Sequence, residues 1–407
     1  MTKQTFLVGG AVRDQILGLQ PKDEDFVVVG YTQAEMLSNG FTQVGNDFPV
    51  FLHPENGNEY ALARQERKVA GGYNGFVFDA SETITIEEDL LRRDLTINAI
   101  AKDIATGEIV DPYNGCQDIE DRVLRHVSNA YREDPVRVLR TARFLARYDR
   151  LGFKIADETL QLMREISRSG ELEHLTAERI WQEFESALST PKPSVFFNCL
   201  HEVGALAVIL PELDALWGIP QPKKYHPEIC SGIHTMLTVD KCASLTSDTA
   251  TIFAALMHDL GKAATHPDTL PAHIGHEDAG AKIVEKVCKR IKTPRKVREL
   301  SVIFTKYHTH IHYTLEMKAS SILRLLKALD ARRRPERLKE LVIAAKSDHQ
   351  GRYGFEETDY PQLKILLDCA KSVAEVDLSI FDFSTSKGRA HAHEAQLKAI
   401  RKVTSQK

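Results

Sequence analysis

The first thirty residues alternate short apolar runs with polar turns, a pattern typical of short strands and helices in succession. Residues 6–8 are an apolar run that ends at a pair of glycines, and helical spacing follows over 11–17. A second apolar run, 26–29, comes directly after Asp23 and Asp25. The pattern predicts a strand, a glycine turn open to a phosphate, a short helix, and a second strand that begins with two carboxylates on one face.

Further short elements are predicted up to about residue 113. Thr32 is placed to cap a short helix, and the runs 48–52 and 59–63 predict a hairpin. Glycines 71, 72 and 75 predict a loop. A capping box that begins at Thr85 predicts a helix start. Beyond that start the helix is expected to bury five apolar residues: Leu90, Leu91, Leu95, Ile97 and Ala101.

A helix with arginines on one side is predicted next. Asp134 and Pro135 suit the N-cap and first helical position, so the helix should begin at Val136. Four arginines, at positions 137, 140, 143 and 147, fall within a sector of about 120°. Such a stripe repels itself unless an anion lies nearby. Because the helix offers the arginines no acidic partner one turn away, an anion site is favoured over a solvated stripe.

The chain from 151 to 216 reads as all helix, and the proline-rich loop 219–224 suggests a domain boundary. Histidines are frequent beyond it, and an apolar helix runs into His258 and Asp259. An adjacent His-Asp pair can reach a metal at a helix end. It needs further ligands, for which His234 and Asp348 are the candidates. Each of these histidines alone is more often structural, but the set favours a metal phosphohydrolase site. The polar tail from about 383 is expected to be loosely ordered.

Length and composition limit the number of domains and the kinds of binding partner that can be expected. A length of 407 residues suggests two to four domains at roughly 150 residues each. A net charge of −4 gives no global signal for nucleic acid, so any RNA must meet a local basic surface. Two basic runs, 286–298 and 332–337, are solvated faces by default and RNA-backbone contacts in the alternative. Six scattered cysteines without a C-x-x-C pair, and no long apolar segment, predict a cytoplasmic protein with no membrane partner.

Taken in order, the motifs resemble one known family. They are LVGGAVRD with DED, RRDLTINA, DPYNG, EDPVRVLR, HLTAERIW and HDLGK. Over residues 1 to about 380 the chain closely resembles the bacterial CCA-adding enzymes, class II tRNA nucleotidyltransferases with a C-terminal HD domain. The resemblance implies an α+β chain with a small polymerase-β-like nucleotidyltransferase head, in which a mixed sheet packs with helices, followed by helical regions. The predicted domains are a head (1–133), a helical neck and body with the base-selecting helix (134–222), an HD phosphohydrolase domain (223–350) and a C-terminal helical tail (351–407).

The resemblance also implies roles for individual residues. In the head, Asp23 and Asp25 would be catalytic and hold Mg2+; the sequence does not identify a third acid. The nucleotide-binding residues for ATP or CTP would be Gly10, Arg13, Arg93, Asp134, Arg137, Arg140 and Arg143. Arg93, Arg140 and Arg143 would bind the triphosphate. The HD site would consist of His234, His258, Asp259 and Asp348.

The implied base-reading role of Asp134 and Arg137 is chemically sound. Cytosine and adenine both present an amino donor beside a ring-nitrogen acceptor, which match a carboxylate and a guanidinium. Uracil and guanine place a carbonyl where that amino group would be. It would face Asp134 acceptor to acceptor, at a cost of about 1–3 kcal/mol. Two side chains can therefore admit C and A and reject U and G.

The implied reaction adds C, C and A to tRNA 3′ ends from CTP and ATP. The HD domain would add 2′,3′-cyclic phosphodiesterase, 2′-nucleotidase and phosphatase activity with Mg2+ or a transition metal such as Ni2+. The protein would be a monomer or homodimer. One alternative is a poly(A) polymerase, which HDLGK disfavours. The other is an HD hydrolase whose head only binds nucleotide or RNA, which the intact Asp23 and Asp25 disfavour.

Overall fold

The computed structural model describes residues 2–21, 23–44, 50–68, 76–79 and 81–405. It divides into two compact units. The first comprises Met1–Ile180 and Cys199–Ile209, and the second comprises Trp181–Asn198 and Leu210–Lys407. The domain boundaries predicted from the sequence stay a prediction. The predicted loop at glycines 71, 72 and 75, like the first two residues of the predicted strand 48–52, lies outside the described residues.

The first unit is built on a mixed sheet. In chain order its strands are β1 Gln4–Val8, β2 Asp25–Val29, β3 Thr42–Val44, β4 Val50–Leu52, β5 Glu59–Leu62, β6 Gln65–Lys68, β7 Phe76–Asp79, β8 Ala101–Asp103, β9 Ile109–Val110, β10 Val123–Leu124 and β11 Lys154–Ile155. Seven strands pair in the order β3-β4-β5-β2-β1-β8-β9. Neighbours are antiparallel except for the parallel pair β2 and β5. The antiparallel pair β6–β7 and the parallel pair β10–β11 lie apart from this sheet.

Helices pack on both faces of that sheet, Ile86–Leu91 on one and Gln33–Ser38 on the other. The helices up to residue 209 are α1 Gly10–Ile16, α2 Gln33–Ser38, α3 Ile86–Leu91, α4 Gly115–Glu120, α5 Val136–Tyr148, α6 Asp157–Arg168, α7 Ala177–Leu188, α8 Ser194–Glu202 and α9 Ala205–Ile209. Because side chains alternate along a strand, Val27 packs in the cluster that contains Leu90 of α3. Val28 packs on the other face, in the cluster that contains Met36 of α2. Burial on both faces explains why β2 is a continuous apolar run.

Local signals in the sequence located most of these elements. The predicted strand, glycine turn, helix and second strand are present, and so is the hairpin of β4 and β5. Thr32 and Thr85 both form complete capping boxes. Two expectations were wrong. The helix from Thr85 ends at Leu91, which is 42% exposed, and the chain then bends into the 3-10 turn Thr96–Asn98. The segment from 151 is not all helix, because β11 pairs with β10.

The second unit is helical. Besides most of α7 and the first half of α8, it contains α10 Pro211–Asp214, α11 Ser231–Leu245, α12 Thr249–Met257, α13 His276–Arg290, α14 Arg295–His312, α15 Ala319–Ala328, α16 Pro335–Gln350, α17 Pro361–Ala374 and α18 Ser386–Thr404. Residues 250–257 of α12 are all buried, which makes it the central helix and explains why it is apolar on every side. The expectation of a loosely ordered tail was wrong: α18 packs against α15 and α17.

In the described part of the chain, no helix is both long enough and apolar enough to cross a membrane.

Candidate active sites

The turn after β1 contains a glycine, Gly9, with a backbone conformation and a close contact that suit glycine. Gly9 has φ +63°, and its N–H donates to the carbonyl of Ile100 at 3.0 Å. A Cβ on Gly9 would lie only 2.7 Å from Nη1 of Arg93. A side chain at position 9 would therefore displace that guanidinium from the main chain, and the positive φ also favours glycine. Gly10, the predicted nucleotide contact, is the first residue of α1.

Arg93 lies between this turn and the two carboxylates at the start of β2, Asp23 and Asp25. Its Nη2 donates to Asp89 at 3.2 Å, one turn earlier in the chain, and its Nη1 to the carbonyl of Asn98 at 3.5 Å. Asp25 is the first residue of β2 and has an exposed surface. Partial desolvation nevertheless raises the pKa of the Asp25 carboxyl. Arg93 opposes this rise and the neighbouring Asp23 adds to it. The structure thus brings Asp23, Asp25 and Arg93 together beside the glycine turn.

A third acid lies beside these two. Glu59 of β5 is the register partner of Asp25 in the parallel pair of strands. Partners in register project to the same face of a sheet, so Glu59 and Asp25 share a face. Glu59 was not predicted, because the register of two strands more than thirty residues apart leaves no local signal in the sequence. Carboxylates from two neighbouring strands are hard oxygen ligands of the kind that Mg2+ prefers.

Arg13, by contrast, is a buried residue that holds α1 in place. Its Nε and Nη2 donate to Asp14 at 2.9 and 2.7 Å, and Nη1 donates to Asn98. The guanidinium also lies over the rings of Phe144 and Tyr148 of α5, at 5.1 and 5.4 Å. Arg13 is only 3% exposed, and its Nη2 would lie 3.5 Å from a Cβ on Gly10. Its contact with a nucleotide stays a prediction.

The arginine side of α5 has acidic partners after all, which corrects the premise of the anion-site prediction. Arg140 donates to Asp94 at 2.8 Å and Arg147 to Asp14 at 2.9 Å. Both acids come from distant segments, so spacing along the helix could not reveal them. Burial alone would raise the pKa of Asp94, but Arg140, Asn98 and Arg137 together outweigh it and hold that pKa below its ordinary value. Arg143 lies 4.5 Å over the ring of Phe144.

Asp134 and Arg137 flank the start of α5 as predicted. Asp134 Oδ1 accepts the N–H of Val136 at 3.2 Å, and Oδ2 accepts from Arg179 at 2.6 Å. Arg137 donates to the carbonyls of Ala130 at 2.8 Å and Arg92 at 2.5 Å. Each terminal nitrogen of Arg137 carries a second hydrogen, and each carboxylate oxygen a second lone pair, so both side chains retain capacity to pair with a base. Arg179 was not foreseen as a partner of Asp134.

In the second unit the structure brings together all four predicted HD residues. Nε2 of His234 lies 3.1 Å from Oδ1 of Asp348, and Nε2 of His258 lies 3.2 Å from Oδ2 of Asp259. All four residues are at most 2% exposed. Asp259 and Asp348 border a cavity of about 170 Å³, to which α13 and α14 contribute His276, His308 and His312. These three histidines were not among the residues predicted for the site.

The second nitrogen of each imidazole defines what this site can bind. Nδ1 of His258 is 2.7 Å from the carbonyl of Ala255, an acceptor that places the proton on Nδ1 and leaves a lone pair on Nε2. Nδ1 of His234 lies 2.9 Å from Oε1 of Glu228. Within the described residues, Nε2 of His258 has no hydrogen-bond partner. Burial opposes it, but Asp259 and Asp348 raise the pKa of His258. The two carboxylates thus favour a positive charge in this pocket. Together with the nitrogen and oxygen ligand atoms around it, this fits a divalent cation.

Three domain families match the chain. They are the "Poly A polymerase head domain" over residues 5–125, the "Probable RNA and SrmB-binding site of polymerase A" over 152–216, and the "HD domain" over 232–363. The "Multifunctional CCA protein" of Teredinibacter turnerae is 53% identical over 383 residues, covering 94% of this chain and 93% of that protein. The protein of the same name from Actinobacillus pleuropneumoniae serotype 5b is 51% identical over 379 residues, or 92% of each chain.

The chain belongs to the multifunctional CCA protein family. Solved CCA-adding enzyme structures share its fold. An apo form has a TM-score of 0.65 at 19% identity and covers 99% of this chain and 88% of its own. The Thermotoga maritima CCA-adding enzyme, described as complexed with tRNA, has a TM-score of 0.63 at 17% identity, with 99% and 91% covered. The family therefore accounts for the mixed-sheet head and the helical HD region together.

Proposed function

We propose that the chain adds and repairs the 3′-terminal CCA of tRNA from CTP and ATP, without a nucleic-acid template. The observation that carries this proposal is the convergence of Asp23, Asp25 and Arg93 at the Gly9 turn, in a chain of the multifunctional CCA protein family. Carboxylates for Mg2+ beside a cation for a triphosphate are the parts that nucleotidyl transfer requires.

In the proposed reaction the 3′-hydroxyl oxygen of tRNA bonds to the α-phosphorus of the nucleotide. The bond from that phosphorus to the bridging oxygen breaks, and pyrophosphate leaves. Asp23 and Asp25, joined by Glu59, would hold Mg2+, which when bound activates the hydroxyl and neutralises the leaving group. Arg93, with Arg140 and Arg143, would orient the triphosphate, and Gly10 and Arg13 would form the surface beneath the nucleotide.

Base choice is assigned to Asp134 and Arg137. A carboxylate that accepts from the amino group and a guanidinium that donates to the ring nitrogen admit cytosine and adenine alone. The ion pair of Asp134 with Arg179 supports the assignment, because it fixes the orientation of the carboxylate at the start of α5.

The HD domain is proposed to hydrolyse phosphate esters at damaged RNA ends, as a 2′,3′-cyclic phosphodiesterase, 2′-nucleotidase and phosphatase. His234, His258, Asp259 and Asp348 would hold the metal, Mg2+ or a transition metal such as Ni2+. Imidazole nitrogens favour the transition metal. When bound, the metal supplies a nucleophilic water at neutral pH. Lys262, whose Nζ lies 2.6 Å from Asp259, lines the same cavity as a cation for the phosphate.

One assay separates this function from its alternatives. The protein is incubated with tRNA truncated before its CCA end and with each labelled nucleotide in turn, then with CTP and ATP together. Incorporation of C, C and one A followed by a stop supports the proposal. A long A tail would identify a poly(A) polymerase, and no incorporation would leave an HD hydrolase with a binding head. A cytoplasmic location and the monomer or homodimer state stay predictions.

A further inference from the structure

We propose that Gln221 and Arg352 bind the non-bridging phosphoryl oxygens of the substrate in the cavity bordered by Asp259 and Asp348, here called the HD cavity. The proposal rests on the phosphohydrolase function proposed for this cavity, and it assigns the side chains that hold the phosphate. Gln221 and Arg352 both line the HD cavity. Gln221 lies in the proline-rich loop before α11, and Arg352 lies just beyond the end of α16.

Hydrogen bonds of its main chain and its neighbour hold Gln221 in place. The N–H of Gln221 donates to the carbonyl of Ile229 at 2.7 Å. The carbonyl of Pro220 lies 2.9 Å from Nε2 of His273, which also lines the cavity. Gln221 is only 2% exposed. Its side chain is therefore fixed at the wall of the cavity and is not free to turn into solvent.

Lys262 determines the orientation of the side-chain amide of Gln221. Nζ of Lys262 donates to Oε1 of Gln221. Because an ammonium group can only donate, the oxygen of the amide has to face Lys262, and the two hydrogens of Nε2 lie at its other end. Nε2 is buried and has no hydrogen-bond partner among the described residues. A buried donor without an acceptor is costly, so this amide needs a ligand or a water molecule that accepts from it.

Arg352 presents a second donor of the same kind. Its Nη2 donates to Oδ1 of Asp348 at 3.2 Å, which holds the guanidinium at the cavity. Nε of Arg352 is buried, and no residue in the described part of the chain accepts from it. Since a guanidinium stays charged and has only donors, an anionic acceptor suits it best.

The ligand that satisfies both donors should be negatively charged and should offer acceptors. Non-bridging phosphoryl oxygens meet both conditions, and Lys262 adds a cation at the same cavity. Cyclic phosphodiesters and phosphate monoesters all carry such oxygens, so the same donors would serve each of the proposed hydrolytic activities. The alternative is that ordered water satisfies the two donors and that neither side chain touches the substrate.

Exchange of the Gln221 amide for a carboxylate tests the proposal. Gln221→Glu keeps an oxygen for Lys262 but replaces the donor by an acceptor, which repels a phosphoryl oxygen. In the metal-loaded protein, KM for 2′,3′-cyclic AMP should rise roughly tenfold or more while kcat stays within about threefold, because the hydrogen bond is lost from substrate and transition state alike. The affinity for inorganic phosphate, measured by isothermal titration calorimetry, should fall by a similar factor. Gln396→Glu, the same exchange at a buried position of α18 outside the cavity, should change neither KM nor this affinity.

A purely structural role of Gln221, as the partner of Lys262, gives the opposite expectation. A carboxylate pairs with an ammonium at least as well as an amide does, so Gln221→Glu would then keep its KM and its affinity for phosphate. That result would overturn the proposal.

Thermal unfolding checks that Gln221→Glu is folded. If it is not, Arg352→Lys decides, because it keeps a positive charge beside Asp348 and removes the Nε donor; an unchanged KM and phosphate affinity in that variant would overturn the proposal. Phosphate that binds to the unmodified protein and is lost in Gln221→Glu, without hydrolysis of any phosphate ester by the unmodified protein, would support the binding site and refute only the proposed phosphohydrolase.

Discussion

At the scale of single residues, the head depends on how closely Arg93 approaches Gly9. We predict that Gly9→Ala lowers kcat/KM for CTP at least tenfold, because its Cβ would meet Nη1 of Arg93 at 2.7 Å. Gly18→Ala is a matched control: Gly18 also has positive φ, +69°, but nothing lies within 4 Å of its Cβ. Both variants should lose about 1–2 kcal/mol of stability from backbone strain. Equal activities in steady-state assays would contradict the account.

The position of Asp25 leads to a prediction of how the stability of the chain depends on pH and on Mg2+. Its pKa is raised in the folded chain, so the stability it contributes is present at low pH and is lost as the pH rises through that pKa. At pH 7 the ionised carboxylate is therefore destabilising until a cation binds. Without Mg2+, Asp25→Asn should melt at a higher temperature than the unmodified protein. Mg2+ should raise the melting temperature less in the variant. Scanning fluorimetry over pH 4–8 measures both, and a variant that melts lower at pH 7 would refute the sign.

Asp134 tests base selection. Asp134→Ala removes the acceptor that would face the carbonyl of uracil or guanine, so discrimination against UTP and GTP should fall roughly 5- to 150-fold, the equivalent of about 1–3 kcal/mol. Transfer of C should fall less. Arg179→Ala removes the ion-pair partner and keeps the carboxylate, so it should retain C and A selectivity. Single-nucleotide incorporation assays compare the two. Unchanged rejection of UTP and GTP in Asp134→Ala would show that this carboxylate does not read the base.

Residue types and their order identified the chemistry of both sites, but not which partner each side chain has. Asp23, Asp25 and the HD residues stand out because carboxylates and histidines carry recognisable chemistry. Asp94 and Asp14 do not, because the arginines of α5 that pair with them lie 46 and 133 residues away. Glu59 depends on strand register, and His276 and His308 on the crossing of two helices. Those are tertiary facts that one sequence does not express.

At the scale of elements, α18 shows how composition can mislead. Its polar sequence hides a sparse apolar stripe, with Ala392, Leu397 and Ile400 buried. We predict that Ile400→Ala, at a position with no exposed surface, destabilises the chain by about 2–5 kcal/mol. Lys398→Ala, exposed on the same helix, should change stability by less than about 0.5 kcal/mol. Denaturant titration measures both, and equal effects would mean that α18 is not packed.

The starts of helices with local capping signals could be predicted from the sequence. The end of a helix that is set by contacts with distant residues could not. Capping boxes at Thr32 and Thr85 depend on residues three apart, which the sequence displays. The end of α3 is set from elsewhere. Thr96 donates its hydroxyl to Asp118 at 2.6 Å and its N–H to the carbonyl of Arg125 at 2.8 Å. These contacts hold the segment after Leu91 in a non-helical conformation, although the spacing of its apolar residues would have suited a longer α3.

At the scale of the whole molecule, the residues proposed for transfer and those proposed for hydrolysis lie in different compact units. We predict that His258→Ala abolishes hydrolysis of 2′,3′-cyclic AMP, because it removes a buried metal ligand, and leaves C addition within twofold. His310→Ala, exposed in the same unit, should retain both activities. Hydrolysis and incorporation are assayed on the same preparation. Loss of both activities in folded His258→Ala protein would argue against separate sites.

The most direct test presents one tRNA in two forms, both truncated before the CCA end. One ends in a free 2′,3′-diol and the other in a 2′,3′-cyclic phosphate, and incorporation of labelled CTP and ATP is followed. The unmodified protein should extend the diol form by C, C and A and stop, and should extend the cyclic form after a lag. His258→Ala should extend only the diol form. Failure of the unmodified protein to complete CCA on the diol form, or equal extension of both forms by His258→Ala, would contradict the account.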